Sequence, residues 1–146
     1  MEPLSKILII ADETPLSEKA IRFGYFIANQ MQAEVALLNV DDSGEQPMDT
    51  LMPYDMMDGE NHYKRAKAFL EEMEKKYSNG TPTRIFMAEG GVKESVLAHA
   101  TLWDAQLIVA GTHARKGLSR LFMGSVSESI LHDTEIPMLI VPMDKA

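Results

Sequence analysis

The strongest structural signal in the sequence is the stretch Leu107-Ile-Val-Ala-Gly-Thr-His-Ala-Arg-Lys-Gly-Leu-Ser-Arg-Leu-Phe-Met-Gly-Ser-Val126. Its first four residues are an apolar run that predicts a buried strand, and Ser125 with Val126 opens a helical pattern. A loop bounded by Gly111 and Gly124 joins the two. A strand, a glycine-bearing loop and a helix N-terminus in this order are typical of a phosphate-binding cradle, because main-chain N–H groups and the helix dipole point at the same anion.

The chain upstream of this stretch alternates between predicted strands and helices. Residues 6–11 and 34–40 are apolar runs typical of strands buried on both faces. Thr14 as N-cap and Pro15 as first helical residue predict a helix that extends to about Gln32. Further patterns predict a helix over 63–77 with a stop at 78–80, a strand over 83–88, a turn at 90–91 and a helix over 92–102.

The chain downstream adds a helix from 124 to about 132 and a strand, Met138-Leu139-Ile140-Val141. Pro137 precedes that strand and favours a position at the edge of the sheet. Alternation at these spacings, with right-handed crossovers, predicts an α/β fold. We expect one domain over residues 1–146, with an open five-stranded parallel sheet, Rossmann-like, in strand order 3-2-1-4-5, and helices on both faces.

The composition excludes several classes of protein. The chain has no cysteine, which excludes disulfides and thiolate chemistry, and its net charge of −8 argues against a nucleic-acid binder. The amino terminus does not resemble a secretory signal and no apolar run is long enough to span a membrane, so we expect a cytoplasmic protein. Residues 41–60 form an acidic, methionine-rich segment that we expect to be a loop, either variable or a lid.

Parallel α/β sheets bind ligands beyond the carboxyl ends of their strands, where the strand order reverses. The predicted strand ends carry Asp12, Val40, Glu89 and Gly111, whereas Trp103 lies at the opposite end and is expected to be a packing or surface residue. The loop after the fourth strand is neither a Walker A motif nor a dinucleotide fingerprint. The histidines show no metal-ligand spacing, and Ser125 has no histidine close in sequence.

Three features next to the cradle leave two or more roles open. Arg115, with Lys116 and Arg120, is either part of a solvated loop or a source of positive charge for phosphates. Ser125 is either an N-cap or a donor to a phosphate oxygen. Asp12 either caps the following loop, bonds a sugar hydroxyl or holds a cation that bridges phosphates.

These residues together resemble the universal stress protein family over nearly the whole chain. The similar segments are Ile7-Leu-Ile-Ile-Ala-Asp12, Leu37-Leu-Asn-Val40, Glu89-Gly90, Gln106-Leu-Ile-Val-Ala-Gly111 with Gly124-Ser125, and Ile136-Pro-Met-Leu-Ile-Val141. The resemblance implies an adenine nucleotide, ATP with Mg²⁺ in the branch that carries the glycine motif. It also implies a homodimer paired through the last strand, Met138, Leu139, Ile140 and Val141.

The resemblance assigns each part of the nucleotide to a part of the chain. It implies adenine near the main chain of Val40, ribose near Ile10 and Asp12, and phosphates along 110–112 and 124–126. Ala114 stands where the branch has its second glycine, and every other position of the motif is kept. The full set of implied nucleotide-binding residues is Ile10, Ala11, Asp12, Val40, Ala110, Gly111, Thr112, Ala114, Arg115, Gly124, Ser125 and Val126. The resemblance implies no metal site made by the protein alone; Asp12 would contact Mg²⁺ only when the ion is bound to the nucleotide.

The function expected from this resemblance is that of an ATP-binding regulatory protein in the stress response, a dimer whose nucleotide state changes its choice of partner. No catalytic residue is expected, because no general base is identified beside the γ-phosphate site. The alternatives are a slow ATPase, and an interaction module of the same fold that does not bind nucleotide. The sequence identifies no protein partner.

Overall fold

The computed structural model describes residues 3–13, 17–42, 59–112 and 125–142. Strands and helices alternate along these ranges. In chain order they are β1 (Lys6–Ile10), α1 (Glu18–Met31), β2 (Glu34–Asp41), α2 (Gly59–Tyr77), β3 (Thr83–Glu89), α3 (Val92–Trp103), β4 (Leu107–Gly111), α4 (Ser125–Asp133) and β5 (Met138–Val141).

The strands form one parallel sheet in the order β3-β2-β1-β4-β5, which confirms the predicted topology. Ile9 on the central strand β1 pairs with Leu37 of β2 and Val109 of β4. The chain runs from β1 outward through β2 to β3 and then crosses back to β4 on the other side of β1. The strand order therefore reverses between β1 and β4, and β5 lies at an edge as Pro137 predicts.

Two apolar clusters cover the two faces of the sheet. Alternate side chains of a strand point to opposite faces, so Ile7 and Ile9 pack under α1 and α2 while Leu8 packs under α3 and α4. The three residues are fully buried, as expected for a strand covered on both sides. The prediction of helices on both faces is therefore confirmed.

Helix ends agree closely with the sequence signals where the structure describes them. α1 ends at Met31, and Gln32 takes a left-handed conformation with φ of 56° that closes the helix. Asn79 and Gly80 have φ of 47° and 87°, and these left-handed conformations turn the chain away after α2 ends at Tyr77. The predicted cap Thr14 and Pro15 lie outside the described residues, and the α-helix itself begins at Glu18.

Several boundaries extend beyond the predicted ones because pairing in the sheet continues past the apolar runs. Asp41 pairs with Glu89, so β2 and β3 each end one residue later than expected, and Gly111 pairs with Val141 in β4. The expected loop over 41–60 is accordingly shorter, since Asp41 belongs to β2 and α2 begins at Gly59. Residues 43–58 lie outside the described part of the chain.

The side chain of Gln106, just before β4, fixes the amino-terminal segment by hydrogen bonds. The Gln106 Oε1 atom accepts hydrogen bonds from Ser5 N at 2.6 Å, Ser5 Oγ at 2.8 Å and Lys6 N at 2.9 Å, and its Nε2 donates to Pro3 O at 2.9 Å. Trp103 is buried nearby, edge-on to Phe86, so of the two predicted roles, packing and surface, the structure gives packing.

Polar side-chain contacts hold α2 near both of its ends. Near its carboxyl end, Lys76 Nζ donates to Glu18 Oε2 at 2.8 Å and the Tyr77 hydroxyl bonds the same oxygen, which lowers the pKa of Glu18. Near its amino end, His62 Nδ1 lies 2.9 Å from Glu13 Oε1. The second contact joins α2 to the segment that follows β1.

Tyr25 makes the stability of this fold sensitive to alkaline pH. Its buried hydroxyl bonds Thr83 Oγ1 at 2.9 Å, and burial raises its pKa from 10.0 to about 12. As the pH rises, Tyr25 therefore loses its proton in the unfolded chain before it does so in the folded protein. The free energy of unfolding keeps the full contribution of this hydroxyl below pH 10 and loses it as the pH rises toward 12. We expect a loss of about 2 kcal/mol at pH 12, at roughly 1.4 kcal/mol per unit.

The measurement is urea denaturation between pH 9 and pH 12, with Tyr25→Phe as the matched variant. The variant keeps the ring and removes the ionisable group, so its stability should decline less over the same range. Parallel pH profiles for the two proteins would show that Tyr25 does not govern the alkaline limit.

Candidate functional site

The site begins at the carboxyl end of β1, where β2 fixes the main-chain N–H and C=O groups of one residue. Ala11 N donates to Leu38 O at 2.8 Å, and Ala11 O accepts from the Asn39 side-chain amide at 2.9 Å. Ala11 is 1% exposed, so neither bond competes with bulk water. Asp12, the next residue, is therefore presented from a rigid anchor at the end of the central strand.

A second hydrogen bond shapes the turn after Asp12. The Ser17 hydroxyl donates to Asp12 O at 2.7 Å, and Ser17 is itself buried just before α1. This bond brings the start of α1 back to the end of β1. It leaves Ile10, Ala11 and Asp12 as one short segment between the ends of β2 and β4.

The end of β4 lies on the other side of the reversal point. Thr112 N donates to Val141 O at 3.1 Å, and Ala110 is buried. The Ser127 hydroxyl donates to Gly111 O at 3.2 Å, and Ser127 is 3% exposed. That bond holds the first turn of α4 against the end of β4, with the helix N-terminus at the carboxyl edge of the sheet.

This arrangement has the chemistry of an anion site. The first N–H groups of a helix have no partner within the helix, and the dipole places partial positive charge beside them. The first turn of α4 contains Ser125, Val126 and Ser127. An anion above Gly111 would therefore meet the main-chain N–H donors of this first turn.

The structure brings most of the predicted site residues together. Ile10, Ala11 and Asp12 lie between Val40 on β2 and the segment Ala110, Gly111 and Thr112 of β4, and Ser125 and Val126 open α4. Val126 packs partly buried against the cluster under α3 and α4. Ala114, Arg115 and Gly124 lie outside the described residues, as does the side chain of Ser125.

Two residues that position the site were missed by the sequence analysis. Asn39 is a buried amide inside an apolar strand, and Ser127 is a buried hydroxyl in the first turn of α4. A lone polar residue in an otherwise apolar buried strand was a usable signal for Asn39, since buried polar groups need a partner. Ser127 carried no such signal, because serine is common near helix starts.

A pocket of about 300 Å³ lies beside this segment, beyond the ends of β2 and β3 and under the amino end of α2. Its floor and walls come from strands and helix, and no residue of the predicted nucleotide set lines it. The lining residues are Asn39, Asp41, His62, Tyr63, Met87, Ala88 and Glu89.

Two kinds of feature are absent from the part of the chain that the structure describes. In that part no group of three or more His, Asp or Glu side chains is placed to hold a metal ion. None of the helices in the same part has the length and apolar character needed to cross a bilayer.

Comparison with known sequences connects this architecture with one family. The model of the universal stress protein family matches residues 3–142. Universal stress protein MJ0531 of Methanocaldococcus jannaschii is 28% identical over 96% of this chain and 83% of its own length. Universal stress protein YxiE of Bacillus subtilis is 28% identical over 94% of this chain and 98% of its own length.

Solved structures share the fold at lower identity. Protein MJ0577 superposes with a TM-score of 0.82 at 22% identity, over 99% of this chain and 100% of its own. A universal stress protein in complex with cAMP gives 0.73 at 17%, over 98% of this chain and 100% of its own. The universal stress protein of Archaeoglobus fulgidus in complex with dAMP gives 0.60 at 14%, over 98% and 100%. On the family match, which spans almost the whole sequence, this chain belongs to the universal stress protein family.

Proposed function

We propose that this protein binds an adenine nucleotide, ATP with Mg²⁺ in the first instance, at the reversal point between β1 and β4. The observation that carries the proposal is the Ser127–Gly111 bond, which sets the first turn of α4 at the carboxyl edge of the sheet. Two proteins of the same fold have been solved in complex with an adenine nucleotide, one with cAMP and the other with dAMP. These complexes support an adenine nucleotide as the class of ligand.

The phosphates are proposed to bind the main chain of 110–112 and the first turn of α4, where helix N–H groups supply donors. The ribose is proposed to lie near Ile10 and Asp12, and the base near the main chain of Val40. Asp12 carries the carboxylate that suits Mg²⁺, a cation that prefers oxygen ligands and keeps several waters. The metal would take its remaining ligands from phosphates and water.

The proposed role is regulatory: binding of the nucleotide changes which partner proteins the dimer binds. The proposal includes a homodimer paired through the edge strand β5, Met138–Val141, which lies at the border of the sheet. Sedimentation velocity at micromolar concentration tests this part. A single species with the mass of the monomer would count against it.

Titration calorimetry on nucleotide-free protein tests the binding proposal. The titrants are ATP, ADP and AMP with Mg²⁺, with GTP as the control for base selectivity. We expect saturable binding of an adenine nucleotide in the micromolar range and weaker binding of GTP. Absence of heat together with an unchanged melting temperature would favour the alternative, an interaction module that does not bind nucleotide.

The Ala114→Gly variant is expected to bind ATP more tightly than the natural chain. Ala114 stands where the family motif has a glycine. If the loop needs a positive φ there, as a glycine would allow, the β-carbon costs on the order of 1 kcal/mol, or several-fold in affinity. The comparison uses the same calorimetric titration. Equal affinities of the two proteins would show that the alanine is accommodated without cost.

A further inference from the structure

The turn between α2 and β3 carries the single asparagine–glycine pair of the chain, Asn79-Gly80. Asn79 and Gly80 have φ of 47° and 87°, and Thr81 N donates to Ser78 O at 2.8 Å. Positive φ at both central residues, together with this bond, is the geometry of a type I′ turn, which asparagine followed by glycine favours. Both central residues are exposed, so water reaches the turn.

An exposed asparagine followed by glycine can react with its own main chain. The Gly80 nitrogen loses its proton to solvent and attacks Cγ of Asn79, which closes a cyclic imide. The side-chain amide nitrogen of Asn79 takes a proton from water and leaves as ammonia. Water then opens the imide. Attack of water at Cγ gives aspartate, whereas attack at the main-chain carbonyl carbon gives isoaspartate, in which the main chain runs through Cγ.

The residue after the asparagine governs how easily the ring closes. A side chain on that residue crowds the approach of its nitrogen, whereas glycine has no β-carbon. Within the described part of the chain, no heavy atom beyond the adjacent residues lies within 4 Å of the point where a β-carbon of Gly80 would stand. The space beside the attacking nitrogen is therefore open.

A side chain of α1 restrains this turn. Asn29 Nδ2 donates to Ser78 O at 3.1 Å and to Thr81 Oγ1 at 3.0 Å, so it bridges the first and last residues of the turn. Ring closure requires Asn79 to leave its left-handed conformation, because the Gly80 nitrogen has to rotate toward the side chain. The bonds of Asn29 oppose that local opening and so lower the rate of the reaction.

We propose that Asn79 is a site of spontaneous isoaspartate formation and that Asn29 restrains its rate. The product affects the fold because the turn is joined to the core. Thr83 Oγ1 donates to Thr81 O at 3.0 Å and bonds the buried Tyr25 hydroxyl at 2.9 Å. Isoaspartate adds a carbon to the main chain of the turn, which removes the type I′ geometry and loosens the start of β3. Molecules that have reacted are therefore less stable than new ones.

The test follows the full-length protein in mildly alkaline buffer by mass spectrometry of the tryptic peptide 77–84, in which the acid replaces the amide of Asn79. Asn61 is the internal control, since it is exposed like Asn79 but is followed by histidine. We expect the acid to accumulate at Asn79 at least about tenfold faster than at Asn61, because no β-carbon hinders the glycine nitrogen. Equal rates at the two asparagines would overturn the proposal.

Asn29→Ala tests the restraint, with Gln30→Ala as the matched control at the next exposed position of α1. Alanine suits a helix at both positions, so both variants are expected to fold. We expect the reaction at Asn79 to be about fivefold faster in Asn29→Ala, for the loss of two neutral hydrogen bonds at the surface. Gln30→Ala should leave the rate unchanged. A rate in Asn29→Ala equal to that of the natural chain would refute the role of Asn29.

The effect on stability is measured on the acidic fraction of aged protein, separated by ion exchange, with Asn79→Asp as the control. Isoaspartate in that fraction has the composition and charge of Asn79→Asp and differs from it in the path of the main chain. We expect the aged fraction to melt at a lower temperature than Asn79→Asp. Equal melting temperatures would contradict the loss of the turn. The reaction needs no nucleotide, so every outcome is independent of the proposed function.

Discussion

Gly24→Leu is expected to lower the free energy of unfolding by about 3 kcal/mol. Gly24 lies in the buried stripe of α1, where the helix crosses the central strand. A β-carbon at this position would overlap the Ile9 side chain, with Cγ1 at 2.8 Å and Cδ1 closer still. Ile9 is fully buried, so a larger side chain forces α1 away from the sheet. Urea denaturation measures the loss.

The control for this prediction is the same substitution in an Ile9→Ala background. Ile9→Ala alone should destabilise the protein by leaving a cavity. If steric overlap with Ile9 causes the effect, the double variant should be more stable than the sum of the single losses predicts, by 1 kcal/mol or more. Additive losses would mean that Gly24 is required for another reason.

Asn39→Leu is expected to destabilise the protein by about 2 to 3 kcal/mol and to weaken the proposed nucleotide binding at least tenfold. The substitution keeps the approximate size of the side chain but leaves the buried Ala11 carbonyl without its donor. Since that carbonyl precedes Asp12, the site should lose its fixed geometry along with stability. Denaturation and ATP calorimetry on the same sample measure the two effects.

Asn39→Asp separates the hydrogen bond from packing. The carboxylate has nearly the shape of the amide but offers no donor when ionised, and its charge is repelled by the Ala11 carbonyl. We expect it to be more destabilising than Asn39→Leu at neutral pH. A milder effect of Asn39→Asp than of Asn39→Leu would assign the role of Asn39 to shape and would refute the hydrogen-bond account.

The topology and the order of the elements were predictable because they depend on local signals. The apolar runs at β1, β2 and β4 are short and continuous, which indicates strands buried on both faces. Helix ends were marked by residues suited to left-handed backbone, such as Gly80. Strand ends were less accurate, because the polar pair Asp41 and Glu89 extends the ladder through main-chain bonds that hydropathy does not register.

The contacts that shape the site were not predictable in the same way. The Asn39–Ala11 bond joins residues 28 apart, and the Ser127–Gly111 bond joins residues 16 apart. The His62–Glu13 pair brings α2 to the segment after β1. Periodicity within a window carries no information about such partners, so the sequence indicated the strand ends that form the site but not the side chains that fix them.

The bonds of Gln106 to the amino terminus have a consequence for how the chain folds. They join residues about 100 positions apart, and β4 pairs with β1 across the same separation. β1, α1 and β2 are consecutive along the chain, as are β4, α4 and β5. Because closing a long loop costs more entropy and slows folding, we expect these two halves to form before they join. The proposed nucleotide site lies between the ends of β1 and β4, where the two halves meet, and would then be assembled in the last step of folding.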